Sequence, residues 1–321
     1  MWWLIWAGCA STEPGGSLPP GAASDRLFPE GSVWFEDLRG AAVDPTSDVV
    51  IGGLQAHGWG LGRMQIDFSI DVLGADAATP RVDFEPTRDF FRPDCDEVPL
   101  PLPVGGHVEG ERDYRCRGGG DCHLLVLETD EQRLYEMWRA DERGGGLRGG
   151  CLAVWDLAAL YPPEGRGDQC SSADAAGYPI TQLLFTADEV ASGEIRHAIR
   201  FVLPNTAIRD GEYFHPATHA VDVDGGGADA VPYGARLRLR PDFDLSQLSE
   251  HARVIAVAMQ TYGMYLADGG NVALTARADH GTEHTWAELG IDSHALEALE
   301  PRDFELVALG DRRELTYDCE R

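Results

Sequence analysis

Apolar and polar positions alternate along most of this chain. In 65–72, Ile66, Phe68, Ile70 and Val72 alternate with Gln65, Asp67, Ser69 and Asp71, the period-2 signature of a half-buried strand. Two further runs, 123–128 and 133–138, flank Thr129-Asp130-Glu131-Gln132 and predict a hairpin. Strands are also predicted over 194–202 and 235–240. The period changes late in the chain. Leu248, Ala252, Ile255, Ala256, Met259 and Tyr262 recur at helical spacing, with Ser249 placed to cap the start and Gly263 to close the end. A second, shorter helix is predicted over 285–299. Short strands between Gly-, Pro- and Asp-rich loops, followed by helices, predict a mainly β (α+β) fold. Its core is expected to be a β-sandwich or jelly-roll-like, with one or two late helices. No linker composition interrupts 28–310, so one β-rich domain is expected there.

The N-terminal segment reads differently. Trp2-Trp3-Leu4-Ile5-Trp6-Ala7-Gly8 leads into Cys9, a small-small-Cys arrangement that predicts a lipoprotein-type signal over 1–9, with Cys9 as the lipidation site. The apolar run is short, no basic residue precedes it and Trp6 stands where Leu is usual, so the leader is expected to be truncated. Residues 10–27 are Pro/Gly/Ser-rich and predict a flexible tether. Setting Cys9 aside leaves Cys95, Cys116, Cys122, Cys151, Cys170 and Cys319. An even set of this kind predicts disulfides and an oxidising compartment. Proximity along the chain suggests Cys116–Cys122, Cys151–Cys170 and Cys95–Cys319, the last tying down a tail at 311–321. The predicted location is extracytoplasmic, at the outer membrane of a Gram-negative bacterium. Membrane attachment would be through the lipid alone, since no other run approaches the about 20 apolar residues of a span.

Composition removes several function classes. The net charge is −28, which repels phosphate backbones and argues against nucleic-acid binding. All 26 basic residues are Arg. Without lysine, Schiff-base chemistry, P-loop and kinase lysines and Ser-Lys pairs are excluded. Nucleophile-elbow, zinc-protease and C-x-x-C motifs are absent from the sequence, and Gly58-Trp59-Gly60-Leu61-Gly62 lacks the context of a dinucleotide loop.

Candidate chemistry concentrates in 172–180 and 188–201. If 194–202 is one strand, Glu194, Arg196 and Arg200 share a face and His197 points with the apolar set. His197 is then either a catalytic imidazole or a satisfied core histidine. Asp174, Glu194 and Glu136 are the carboxylates expected for a hydrolase, while Arg196, Arg200, His197 and Tyr178 would serve a lyase acting on a uronate. Arg236, Arg238 and Arg240 line one strand face, to grip an anionic ligand or to pair with the protein's own carboxylates. His215 with His219, and His280 with His284, are spaced four apart, but neither pair has a further ligand nearby in sequence. Asp222, Asp224 and Asp229 offer a loose calcium-type spacing that lacks the terminal Glu of an EF-hand. Calcium is thus the single cofactor suggested, with no cofactor as the other reading. Trp34, Trp59, Trp138, Trp155 and Trp286 are either core or sugar-stacking platforms.

Several blocks carry a resemblance over residues 28–309. They are Val43-Asp44-Pro45, the 172–180 segment, Gly193-Glu194-Ile195-Arg196-His197-Ala198, Pro216-Ala217-Thr218-His219, Tyr262-Gly263-Met264 with Ala267-Asp268, and Asp303-Phe304-Glu305. On these the chain resembles a group of functionally uncharacterised secreted bacterial proteins. It departs from them in its cysteine set and in the acidic loop 222–229. The resemblance implies one fold unit, extracytoplasmic location and a role with polysaccharide or surface glycan. Two functions are therefore expected to compete: a carbohydrate-active hydrolase or lyase, and a non-catalytic surface protein that binds glycan or protein.

Overall fold

The computed structural model describes residues 26–221 and 225–321. Its backbone is about 28% strand and 15% helix, so strand pairing dominates, as the alternation predicts. The largest sheet has six strands in the spatial order Ile66–Ile70, Leu274–Arg277, Ile199–Leu203, Met264–Gly269, Arg236–Leu239, Phe304–Leu306. It is mixed, with parallel pairs at Ile66–Ile70/Leu274–Arg277 and Ile199–Leu203/Met264–Gly269. A second sheet orders Cys151–Asp156, Arg133–Trp138, Leu124–Glu128 and Val72–Ala75. The predicted hairpin is its centre, with Leu124 opposite Met137 and Glu128 opposite Arg133. Both sheets feed one apolar core that includes Ile66, Leu125, Leu134, Trp155, Phe201 and Leu237.

The predicted run 65–72 is split between the two sheets. It pairs as Ile66–Ile70 in the large sheet, and the chain then passes through Asp71 into Val72–Ala75 of the second sheet. The helix Glu250–Thr261 forms as predicted. Ser249 Oγ accepts from the Ala252 amide at 3.3 Å, and Gly263 follows at φ +70°. Ala252, Ile255, Ala256 and Met259 are its buried face.

Three expectations need correction. Residues 194–198 are not strand, and the paired segment is Ile199–Leu203. Ahead of it stands a helix, Ala187–Ser192, begun by a capping box between Thr186 and Glu189 and closed by Gly193 at φ +86°. That T-x-x-E signal is in the sequence and outweighs the alternation read across it. Residues 285–299 form successive turns instead of a helix, because Gly290 takes φ +64° and interrupts the ladder. Helices are also not confined to the later part of the chain. Ser47–His57 packs Val50, Ile51 and Leu54 inward and ends at Gly58.

The cysteine pairing is Cys95–Cys151, Cys116–Cys122 and Cys170–Cys319. The short loop closes as expected, but the other two pairs exchange partners. The Asp96 amide donates to the Leu152 carbonyl at 2.7 Å, which lays the 90s loop along Cys151–Asp156. The tail instead bridges Asp168 to Glu320 and so reaches Cys170. Backbone pairing, not separation along the chain, selects the partner, and the tail is tied down by the Cys170 bridge. Three disulfides place the protein in an oxidising, extracytoplasmic environment. Among the described residues no helix is long and apolar enough to cross a membrane.

Candidate functional site

Four neighbouring strands of the large sheet contribute polar residues to one cleft of about 460 Å³: Asp67, Thr275, Arg200 and Asp268. Period 2 puts Arg200 and Val202 on the cleft face of Ile199–Leu203, while Ile199, Phe201 and Leu203 enter the core. The edges are shaped by two irregularities in register. Phe201 pairs with Leu266 but Val202 pairs with Asp268, so Ala267 is an extra residue, and its carbonyl is taken by the Ala176 amide at 2.8 Å. A similar slip lies between Asp67 and Ile70. Bulges re-aim side chains, and here they flank the cleft floor.

Arg200 is buried, and its guanidinium is gripped by Asp174, with Nε to Oδ2 at 3.1 Å and Nη2 to Oδ1 at 2.8 Å. Nη1 donates to Thr275 Oγ1 at 2.8 Å, and Nη2 lies 3.4 Å from Asp268 Oδ2. Burial alone would favour loss of the Arg200 proton, but the Asp174 charge outweighs it and the guanidinium stays charged. Asp268 differs from Asp174. Its side chain is 26% exposed, yet protein surrounds it and Asp174 adds a like charge. Burial first and the Asp174 charge second push its carboxyl up to about 7, against the counter-pull of Arg200 and His123.

On the opposite wall His123 Nδ1 lies 2.7 Å from Glu109 Oε2, and its Nε2 lies 3.1 Å from the Ala173 carbonyl. Burial opposes a charge on either group, but their mutual attraction prevails. His123 is raised to about 9 and Glu109 lowered to about 2. The imidazolium thus donates at both nitrogens, and Glu109 also accepts from Ser69 Oγ at 3.1 Å. This pair is a fixed wall, not a free base. His219 adds a neutral group: Nδ1 faces the Ala175 carbonyl at 3.1 Å, burial lowers its pKa, and Nε2 has no hydrogen-bond partner. The exposed phenyl of Phe91 and the half-buried indole of Trp138 complete the cleft, with Trp138 Nε1 held by Asp121 at 2.5 Å.

The sequence-selected residues distribute unevenly about this cleft. Asp174 and Arg200 meet, and Arg200 reaches the cleft, with Asp174 behind it. Glu194 and Arg196 are exposed on the segment after the short helix and do not line the cleft. His197 is a core histidine, with Nε2 3.0 Å from Glu189 Oε1. Glu136 is fully buried, and its carboxylate accepts from Trp155 Nε1, the Ile180 and Thr181 amides and Thr181 Oγ1 at 2.7–3.0 Å. Those four donors make it a brace between strand and loop. Tyr178 is buried against Trp34 and Tyr265.

The arginine row is spent internally. Arg236 holds Glu36 at 3.0 Å and stacks on Tyr265, while Arg238 holds Glu305 and the Leu38 carbonyl. Arg240 lies 3.8 Å from the same Glu305. Of the five tryptophans among the described residues, Trp34, Trp59, Trp155 and Trp286 are core, and Trp138 alone borders the cleft.

Of the calcium-type residues, Asp222 and Asp224 lie outside the described residues, as does Cys9, and Asp229 is exposed. His215 pairs with Asp168 at 3.2 Å, away from His219. A different set of residues has metal-like spacing: Asp71, His107 and His280. Asp268, Glu109 and His123 were not singled out from the sequence. Asp268 had a readable signal, an apolar strand run ending in Asp-Gly-Gly. Glu109 and His123 meet only through folding.

Comparison of the chain with protein-family models, with curated proteins and with solved structures found no match in any of the three.

The Glu109–His123 pair sets a pH dependence. His123, raised from 6.5 to about 9, contributes stability that is complete below 6.5 and lost as pH rises through about 9. Glu109, lowered from 4.5 to about 2, contributes stability that is complete above 4.5 and lost as pH falls toward about 2. In Glu109→Gln the unpaired imidazolium should cost about 3 kcal/mol near pH 6, and progressively less as pH rises from about 6.5 through about 9. Denaturant unfolding across pH measures this, and an equal loss at pH 6 and pH 10 would contradict it.

Proposed function

We propose that this protein is an extracytoplasmic carbohydrate-binding protein whose cleft takes a neutral, polyhydroxylated ligand. The observation that carries this reading is the charge arrangement of the cleft floor. Arg200 is already neutralised by Asp174, so no free cation is offered to a uronate. Asp67 and Asp121 line the same cleft and repel anions. Phe91 and Trp138 supply apolar faces for a sugar ring.

Spacing favours binding over hydrolysis. The strands carrying Asp67 and Asp268 stand three steps apart, about 14 Å between backbones at about 4.8 Å per step. Paired carboxylates in glycoside hydrolysis are about 5–9.5 Å apart. Of the sequence-selected carboxylates, Glu136 is a buried brace, Asp174 is committed to Arg200 and Glu194 lies elsewhere. A hydrolytic reading retains one specific support, the Asp268 carboxyl at about 7, which suits an acid–base group. Isothermal titration against neutral gluco-, manno- and galacto-oligosaccharides, with polygalacturonate and alginate alongside, tests both readings. Binding of a neutral glycan without new reducing ends is expected, and Asp268→Asn should bind with less pH dependence around pH 7. Turnover abolished in Asp268→Asn would move the assignment to a hydrolase, and preference for uronates would refute the neutral-ligand reading.

We further propose that Cys9 carries a lipid that holds the domain at the outer membrane by way of the 10–27 tether, in keeping with the resemblance to secreted bacterial proteins. Palmitate labelling in a Gram-negative host should mark the native chain and not Cys9→Ser; equal labelling of both would exclude the anchor.

A further inference from the structure

We propose that Asp71, His107 and His280 form a binding site for a divalent transition metal of the zinc class. Asp71 is the residue at which the chain leaves Ile66–Ile70 for Val72–Ala75, so pairing in two different sheets fixes its backbone on both sides. Its Oδ1 is occupied on the inner side, accepting from the Val72 amide at 2.8 Å and lying 3.7 Å from Arg277 Nε. Its Oδ2 is turned toward two imidazoles, His107 Nε2 at 3.4 Å and His280 Nδ1 at 3.4 Å. The three donor atoms lie within 4.8 Å of one another.

These distances discriminate between readings. A charge-assisted N–H···O bond has its heavy atoms about 2.7–2.9 Å apart, so 3.4 Å is long for two direct contacts to one oxygen. It matches the edge of a tetrahedron built on metal–ligand bonds of about 2.0–2.1 Å, which is about 3.4 Å. One tautomer of His107 suits ligation. His107 Nδ1 lies 3.2 Å from the Val108 carbonyl, and donation there leaves the Nε2 lone pair facing the carboxylate. Ligating histidines are held in the same manner, by a carbonyl on the far nitrogen. Two facing lone pairs repel unless a proton or a cation lies between them.

The donor set selects the ion. Two imidazoles and one carboxylate suit zinc, cobalt or nickel, whereas calcium and magnesium require mostly oxygen. The side chains of Asp71 and His107 are 7% and 19% exposed, while that of His280 is 70% exposed. Two ligands are thus preset, the third can adjust from the surface, and a fourth position is left to solvent. The six cysteines among the described residues are all in disulfides and do not compete for the ion. No spacing motif announces the site, because His107 and His280 come from distant parts of the chain, and the nearby His284 is the wrong partner.

Zinc titration by calorimetry and cobalt absorption spectroscopy test the proposal on the oxidised chain carrying Cys9→Ser, which removes the one remaining cysteine. One equivalent of zinc should bind, and cobalt should give the intense d–d bands of a four- or five-coordinate site. Asp71→Asn, His107→Ala and His280→Ala should each weaken binding at least about tenfold, His284→Ala should not, and excess calcium should not compete. Because His280 is exposed, its alanine variant keeps the fold, which circular dichroism verifies. No zinc binding, or binding that His107→Ala and His280→Ala leave unchanged, would overturn the site.

Discussion

The buried ion pair between Arg200 and Asp174 is the constraint around which the rest of the structure is arranged. A guanidinium in the middle of a six-stranded sheet requires a counter-charge where water cannot supply one. Asp174 answers it from a loop, so the loop must be held rigidly against the sheet. Ser172 Oγ donates to the Tyr178 carbonyl and accepts from the Asp174 amide, the Ala176 amide takes the bulge carbonyl of Ala267, and the Thr218 amide takes the Ala176 carbonyl. Gly177, at φ +81°, is required because a Cβ there would meet Thr218 Oγ1 at 1.9 Å. The segments around Asp174, Thr218 and Asp268 are therefore one mechanical unit.

That unit determines what the cleft can offer. Because Asp174 satisfies Arg200 from behind, the floor presents a spent cation and Asp268, a second carboxylate that shares the first one's repulsion. The opposite wall is closed in the same way by Glu109 and His123. A strongly acidic chain thereby builds an interior in which each buried cation at the cleft is committed, leaving carboxyl groups, among them Asp268 near pH 7, to meet a ligand.

The fold was legible where a local rule was also the global one. Period-2 alternation located 65–72, the hairpin and Arg236–Leu239, and the Ser249 cap located the late helix. Alternation failed at 194–198, where the capping box of Thr186 and Glu189 fixes a helix and Gly193 ends it. Proximity along the chain misassigns two of the three disulfides, because Cys95 and Cys319 are delivered by a loop-to-strand hydrogen bond at Asp96 and by the tail bridge at Glu320. Site residues were legible in part: Asp174 and Arg200 meet as a pair, and internal pairing of Arg236 and Arg238 was one of the two stated alternatives. Glu109, His123 and the Asp71 cluster were not legible, since each joins residues from separate segments and no spacing rule connects them.

The most direct measurement is the titration of the Asp268 carboxyl, followed by carbon-detected NMR in the native chain and in Asp174→Asn. The account predicts a midpoint near 7 in the native protein and a lower one once the Asp174 charge is removed, because that charge is one of the two causes that raise it. A native midpoint in the ordinary aspartate range, unmoved by Asp174→Asn, would contradict the coupling on which the cleft is built.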